Sequence, residues 1–316
     1  LEHVQSTNSD GLHKLAHALF KTDPDPHTDA LLEKAVGRSR EAAAAQEVLA
    51  GHKGLALAAA LRAFPGPLLI NLFSEEGGTI QDVRDISPLC RLVLRLGENA
   101  AALAVAHGCN SARREARYLA LLLARETRHA GVPALVAGRC FDNEPRLGFF
   151  AATTLDRMLS GRDERAAAAR EAVGVLKQAL EKGGPEDRAA AARAAENVHH
   201  PSLVNPLIGL VDERDSELSE SVQRALQELT KQDFGDSSRK WRAWWKDNAN
   251  RRRVDWLVDA LGHKERDLRQ SAQRELNQLT GEYLGYFHDA PKAERDAAIT
   301  RWRTWVDANK TRLDLP

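Results

Sequence analysis

Ser221-Val222-Gln223-Arg224-Ala225-Leu226-Gln227-Glu228-Leu229-Thr230 returns 50 residues downstream as Ser271-Ala272-Gln273-Arg274-Glu275-Leu276-Asn277-Gln278-Leu279-Thr280. In the first copy Val222, Ala225, Leu226 and Leu229 stand at i, i+3, i+4 and i+7, which is one face of an α-helix. Each copy runs on through an aromatic-glycine stretch, Phe234-Gly235 or Tyr283-Leu284-Gly285, into a tryptophan signature. That signature is Trp241-Arg242-Ala243-Trp244 in one copy and Trp302-Arg303-Thr304-Trp305 in the other. A unit repeated at this length marks a stacked architecture, in which each unit buries its apolar face on the next.

The same pattern extends upstream. Val132-Pro133-Ala134-Leu135-Val136 leads to Asp142-Asn143-Glu144-Pro145-Arg146 and an apolar helix through Ala151 and Leu155. Val204-Asn205-Pro206-Leu207-Ile208 leads in the same way to the helix of Leu226. One inner-helix position per unit gives Leu121, Leu155, Ala191, Leu226 and Leu276, spaced 34, 36, 35 and 50 residues apart. Three near-equal periods and one with an insertion fit a helix-turn-helix solenoid. No segment sustains a two-residue alternation, so no sheet is expected.

Composition agrees. Of 316 residues 43% are apolar and only 5% aromatic, with abundant Ala and few β-branched residues, which favours helix. Lys and Arg total 45, equal to Asp and Glu, so no global field attracts nucleic acid or anionic lipid. The three cysteines, Cys90, Cys109 and Cys140, include no CxxC and sit among apolar neighbours, reading as buried hydrophobes in a reducing, cytoplasmic setting. The longest apolar runs are far shorter than the ~20 residues that cross a bilayer. The chain begins at Leu1 rather than Met, so a piece of a longer protein is expected.

Residues 1–84 fit the period least well and are expected to be an N-terminal helical cap or irregular repeats, with helices over 12–20, 28–36, 41–49 and 54–64. Repeats are expected over 85–200, and duplicated units with Trp-rich helices and a C-terminal cap over 201–316.

Over residues 85–310 these features resemble HEAT repeats, particularly the bacterial type related to phycobilisome-lyase repeats. The resemblance rests on Pro-Leu-(Ile/Val) outer helices, Asp-containing turns followed by Arg146 or Arg269, and inner Ala/Leu helices; Ser219 replaces that arginine in the unit at 204–229. It implies an all-α, right-handed α-α superhelix of about six to eight helix pairs. The His-Glu steps that hold iron in the HEAT-like deoxyhypusine hydroxylase do not occur in this sequence.

The segment 239–253, RKWRAWWKDNANRRR, carries seven positive charges against Asp247 alone. Arg beside aromatic rings suits phosphate contact and base stacking. Recurrence of Trp241 and Trp244 as Trp302 and Trp305 assigns the rings to packing instead, leaving Arg239, Arg242, Arg251, Arg252 and Arg253 as the candidate partner-binding residues. His13 and His17 stand at i and i+4 without a third ligand, and His199-His200 is expected to be a solvent-exposed pair before Pro201. The acidic stretch 73–85, with Glu75, Glu76, Asp82 and Asp85, lacks the oxygen spacing of a calcium loop. No metal, cofactor or catalytic residue is expected. The expected function is a protein-binding scaffold without covalent chemistry, taking a protein partner that is acidic where it meets 239–253; the alternative is a nucleic-acid-binding module using the same Arg/Trp patch.

Overall fold

A computed structural model describes residues 8–37, 39–73, 82–159 and 163–310. The described residues are all-helical, with no strand. They fall into two compact units, Leu1–Ala172 and Val173–Pro316.

The first unit opens with α1 (Ser9–Phe20), α2 (Pro26–Val36), α3 (Ala42–Gly51) and α4 (Lys53–Ala63). The helix-interrupting Asp23-Pro24-Asp25-Pro26 becomes a helix start: Asp25 accepts the Thr28 amide at 2.9 Å and Pro26 occupies the first turn, where its missing N–H is no loss. After α5 (Val83–Ile86) come α6 (Pro88–Leu96), α7 (Glu98–Cys109) and α8 (Arg114–Glu126), then α9 (Val132–Arg139) and α10 (Pro145–Leu159). Most of stretch 73–85 lies outside the described residues, including Glu75 and Glu76; Asp82 caps α5 through the Arg84 amide at 2.8 Å.

The core of this unit is α7, whose residues Ala100 to Ala106 are all buried, with α8 packed along it. Small side chains allow that approach. A Cβ at Gly108 would meet the Ala120 Cβ and the Phe64 ring, each at 2.8 Å, so glycine is required there.

An arginine holds the turn between these two helices. Arg117 on α8, 8% exposed, donates from Nη1 to the carbonyls of Ser111 (3.1 Å) and Ala112 (2.9 Å). Its Nε and Nη2 grip the buried Asp142 carboxylate of the following turn at 2.8 and 3.2 Å. The expected turn arginine Arg146 is exposed instead, because it lies on the outward side of α10's first turn. The clamp comes from two helices earlier, on α8.

α11 (Glu164–Lys182) contains the division between the units. The second continues through α12 (Pro185–Ala195), a short 3-10 turn (Pro201–Leu203), α13 (Val204–Gly209), α14 (Ser216–Thr230) and α15 (Ser238–Asn248). It ends with α16 (Arg253–Ala260), α17 (Arg266–Thr280) and α18 (Lys292–Ala308). The duplication is therefore a three-helix unit, α13-α14-α15 and α16-α17-α18. In each copy the short first helix packs against both the long helix and the tryptophan helix.

Local detail repeats too. Thr230 and Thr280 each donate a hydroxyl hydrogen bond to the carbonyl four residues back, both at 2.7 Å. Both long helices end in a left-handed residue, Lys231 at φ 52° and Gly281 at φ 72°. Arg269 repeats the Arg117 clamp, with Nη1 on the carbonyls of His263 (2.9 Å) and Lys264 (2.8 Å). The five inner-helix positions, Leu121, Leu155, Ala191, Leu226 and Leu276, are all fully buried.

Candidate functional site

The segment 239–253 builds α15, the turn after it and the start of α16. Ser237 caps α15 through the Lys240 amide. Trp241 points into the unit, 1% exposed, with Nε1 on the Gly235 carbonyl at 3.0 Å and its ring edge-on to Phe234. Trp302 is equally buried within the cluster of Leu257, Leu276 and Ile299. Trp244 and Trp245, partly exposed, pack edge-on against the buried Trp256 at 5.4 and 5.7 Å. Asn248 and Asn309 close the two signatures alike, each side-chain amide donating to the tryptophan carbonyl four residues back, at 2.7 and 2.9 Å.

The five candidate arginines separate. Arg253 is buried, 5% exposed; Nε donates to the Leu229 carbonyl at 3.0 Å and Nη1 bonds Glu275. Arg252 turns back on its own helix, its Nε and Nη2 on the Asp255 carboxylate at 3.1 and 2.9 Å. Arg251 reaches Asn248 Oδ1 and the Asp259 carboxylate, both at 2.7 Å. Arg242 lies 3.4 Å from Asp212 with both exposed, a pairing that solvent screens to little. Arg239 is exposed on the first turn of α15.

Two cations that the sequence reading left out join Arg251 and Arg252. Arg303 on α18 donates to Asp259 at 3.2 Å, and Lys310 just beyond α18 pairs with Asp307 at 3.0 Å. Together they line an open cleft of about 580 Å³ between α16 and α18, completed by Asp255, Asn250 and the apolar Val258 and Val306. Four cationic and three anionic side chains line it, an excess of one positive charge. Asp259 serves two arginines at once, and Arg252 keeps a buried Nη1 with no hydrogen-bond partner. Arg303 was within reach of the sequence, since it is the arginine of the second tryptophan signature and corresponds to Arg242. This lining suits recognition of a carboxylate or other oxyanion by paired guanidinium forks.

A deeper charge cluster lies in the same unit. Lys231, 2% exposed, pairs with Glu228 and stands 3.6 Å from Glu275. Burial alone would raise the Glu275 pKa; Arg253, then His199 and Lys231, outweigh it and hold the carboxyl below the usual range. His199 and His200 are half-buried rather than solvent-exposed, because His200 Nδ1 accepts the Ser202 amide and so caps the turn at Pro201. His13 faces Asn110 at 2.7 Å while His17 is exposed, and among the described residues no three His, Cys, Asp or Glu side chains group as a metal site. Among the described residues no helix is long and apolar enough to cross a membrane.

No family model and no curated protein matches the chain. Two engineered proteins with crystal structures from a structural genomics consortium align with it at 19% identity each. One covers 85% of this chain and 96% of its own at a TM-score of 0.26, the other 86% and 99% at 0.27. Scores this low carry no argument about fold or function.

Proposed function

We propose that this chain is a helical-repeat scaffold that binds a protein partner through an acidic segment and has no covalent chemistry of its own. On this reading its antiparallel helix pairs are HEAT-like and stack as a right-handed superhelix. The repeated α13-α14-α15 and α16-α17-α18 units and the five buried inner-helix positions support it. The observation that carries the binding role is the sharing of Asp259 by Arg251 and Arg303 at the rim of the α16/α18 cleft. A partner carboxylate entering there would take one of the two guanidiniums as its own counter-charge, without leaving Asp259 unpaired.

The nucleic-acid reading has less support. Its ring faces are spent on one another or on the core, Arg253 is buried, and the remaining cations alternate with carboxylates. A test is fluorescence anisotropy of a labelled hexaglutamate peptide and of a ten-residue oligothymidylate, at low and at physiological salt. Binding of the peptide, weakened at least tenfold in Arg251→Glu/Arg303→Glu, supports the proposal. Oligonucleotide binding that falls steeply with salt, or peptide binding indifferent to those substitutions, overturns it.

A further inference from the structure

On the first unit, α8 and α10 carry a matched pair of side chains. Tyr118 and Arg125 on α8, and Phe150 and Arg157 on α10, are each seven residues apart, which is two helical turns and the same helix face. The two rings meet, with centroids 4.9 Å apart and planes 20° from parallel. Phe73 meets Tyr118 edge-on at 5.7 Å, and Arg114 lies over Phe73 at 4.3 Å. The Arg125 guanidinium lies over the Phe150 ring at 4.6 Å.

Because Tyr118 and Phe150 stack, Arg125 and Arg157, each two turns on, stand at one level of neighbouring helices, and among the described residues neither forms an ion pair with a carboxylate. The acids on these helices are engaged elsewhere: Glu126 holds Arg84 at 2.8 Å, Glu115 lies against Arg114, and Asp156, next to Arg157, is engaged as well. Arg125 is partly desolvated, and its Nε is buried with no hydrogen-bond partner. Burial and, after it, the neighbouring Arg157 charge push its pKa down. A guanidinium held over a ring is restrained in position, and arginine receives an oxyanion with two parallel N–H bonds.

We propose that Arg125 and Arg157 form a recognition site for an oxyanion carried on a peptide, either a Glu or Asp carboxylate or a phosphorylated side chain. One oxyanion between the two guanidiniums relieves their repulsion. A nucleic acid fits less well, because the ring faces that would stack bases are already covered by one another and by Arg114 and Arg125. The site belongs to the first unit and does not depend on the α16/α18 cleft.

The experiment uses the full chain carrying Arg251→Glu/Arg303→Glu, so that the cleft does not contribute. Labelled hexapeptides with a central phosphoserine, glutamate or glutamine are titrated by anisotropy, with an oligothymidylate decamer as the nucleic-acid arm. The site is supported if the phosphoserine or glutamate peptide binds, the glutamine peptide does not, and Arg125→Gln or Arg157→Gln each weakens binding at least tenfold. Arg157 is exposed, so its replacement keeps the fold. It should also raise the melting temperature of the free protein, which loss of a merely structural contact would lower. The proposal is overturned if neither acidic peptide binds at millimolar concentration, if affinity survives both substitutions, or if the decamer binds in place of the peptides.

Discussion

Buried Arg253 and half-buried Glu275 form an ion pair at the positions where the upstream copy of the repeat, 50 residues earlier, carries the fully buried Leu203 and Ala225. One copy of the unit thus closes α13 on α14 with hydrocarbon, and the other closes α16 on α17 with charge. Arg253→Leu removes the main partner of Glu275, leaving it Lys231 at 3.6 Å, and should cost about 3 kcal/mol of unfolding free energy, because a largely desolvated charge that loses its closest counter-charge retains most of its desolvation penalty. The double change Arg253→Leu/Glu275→Ala, which rebuilds the upstream pair, should return to within about 1 kcal/mol of the parent. Urea denaturation of the three proteins measures both; equal stability of the single and double variants contradicts the reading.

Acid should act through the same pair. Since the folded pKa of Glu275 is depressed, its contribution is fully present above the unfolded value of about 4.3 and is lost as pH falls through the lower folded value. The urea midpoint of the parent should drop between about pH 5 and pH 2 more steeply than that of Arg253→Leu/Glu275→Ala. Parallel pH curves would remove Glu275 from the account.

The two buried tryptophans should respond differently to phenylalanine. Trp241 loses its hydrogen bond to Gly235, whereas the Trp302 Nε1 is buried without a partner. Trp302→Phe discards an unsatisfied donor, so it should cost about 1 kcal/mol less than Trp241→Phe in the same urea assay.

Lysine should not replace Arg117. The fork serves two carbonyls and both oxygens of Asp142, a set that a single ammonium does not span. Arg117→Lys should lose most of what Arg117→Ala loses, about 2 kcal/mol or more, read as a lowered thermal midpoint.

The cysteines give a probe of global opening. Burial pushes the thiols of Cys90, Cys109 and Cys140 up to about 12. A disulfide reagent at pH 8 should find no fast-reacting thiol in the native protein and three after guanidinium unfolding.

Much of the helical layout was legible because its signals are local. Apolar positions at helical spacing place α1 to α4 within a few residues of where they occur, and Asp25 with Pro26 marks the start of α2. The charge run at 251–253 was not legible in composition, where three arginines look alike; their fates depend on α16 beginning at Arg253. The signal was present in the repeat, since the 50-residue offset puts Arg253 at the core position of Leu203. The α16/α18 cleft and the arginine pair of α8 and α10 join residues 52 and 32 positions apart, Arg251 with Arg303 and Arg125 with Arg157, and only packing brings them together.

Arg117 and Arg269 hold their turns by main-chain oxygens six and five residues back, atoms that every amino acid supplies. The clamp therefore reads the path of the chain and ignores its spelling. Ser111-Ala112 and His263-Lys264 share no side-chain chemistry, yet they are gripped in the same way. Linkers guarded like this are free to drift without altering the bend they make, so successive repeats can lose their family likeness in letters while keeping it in shape.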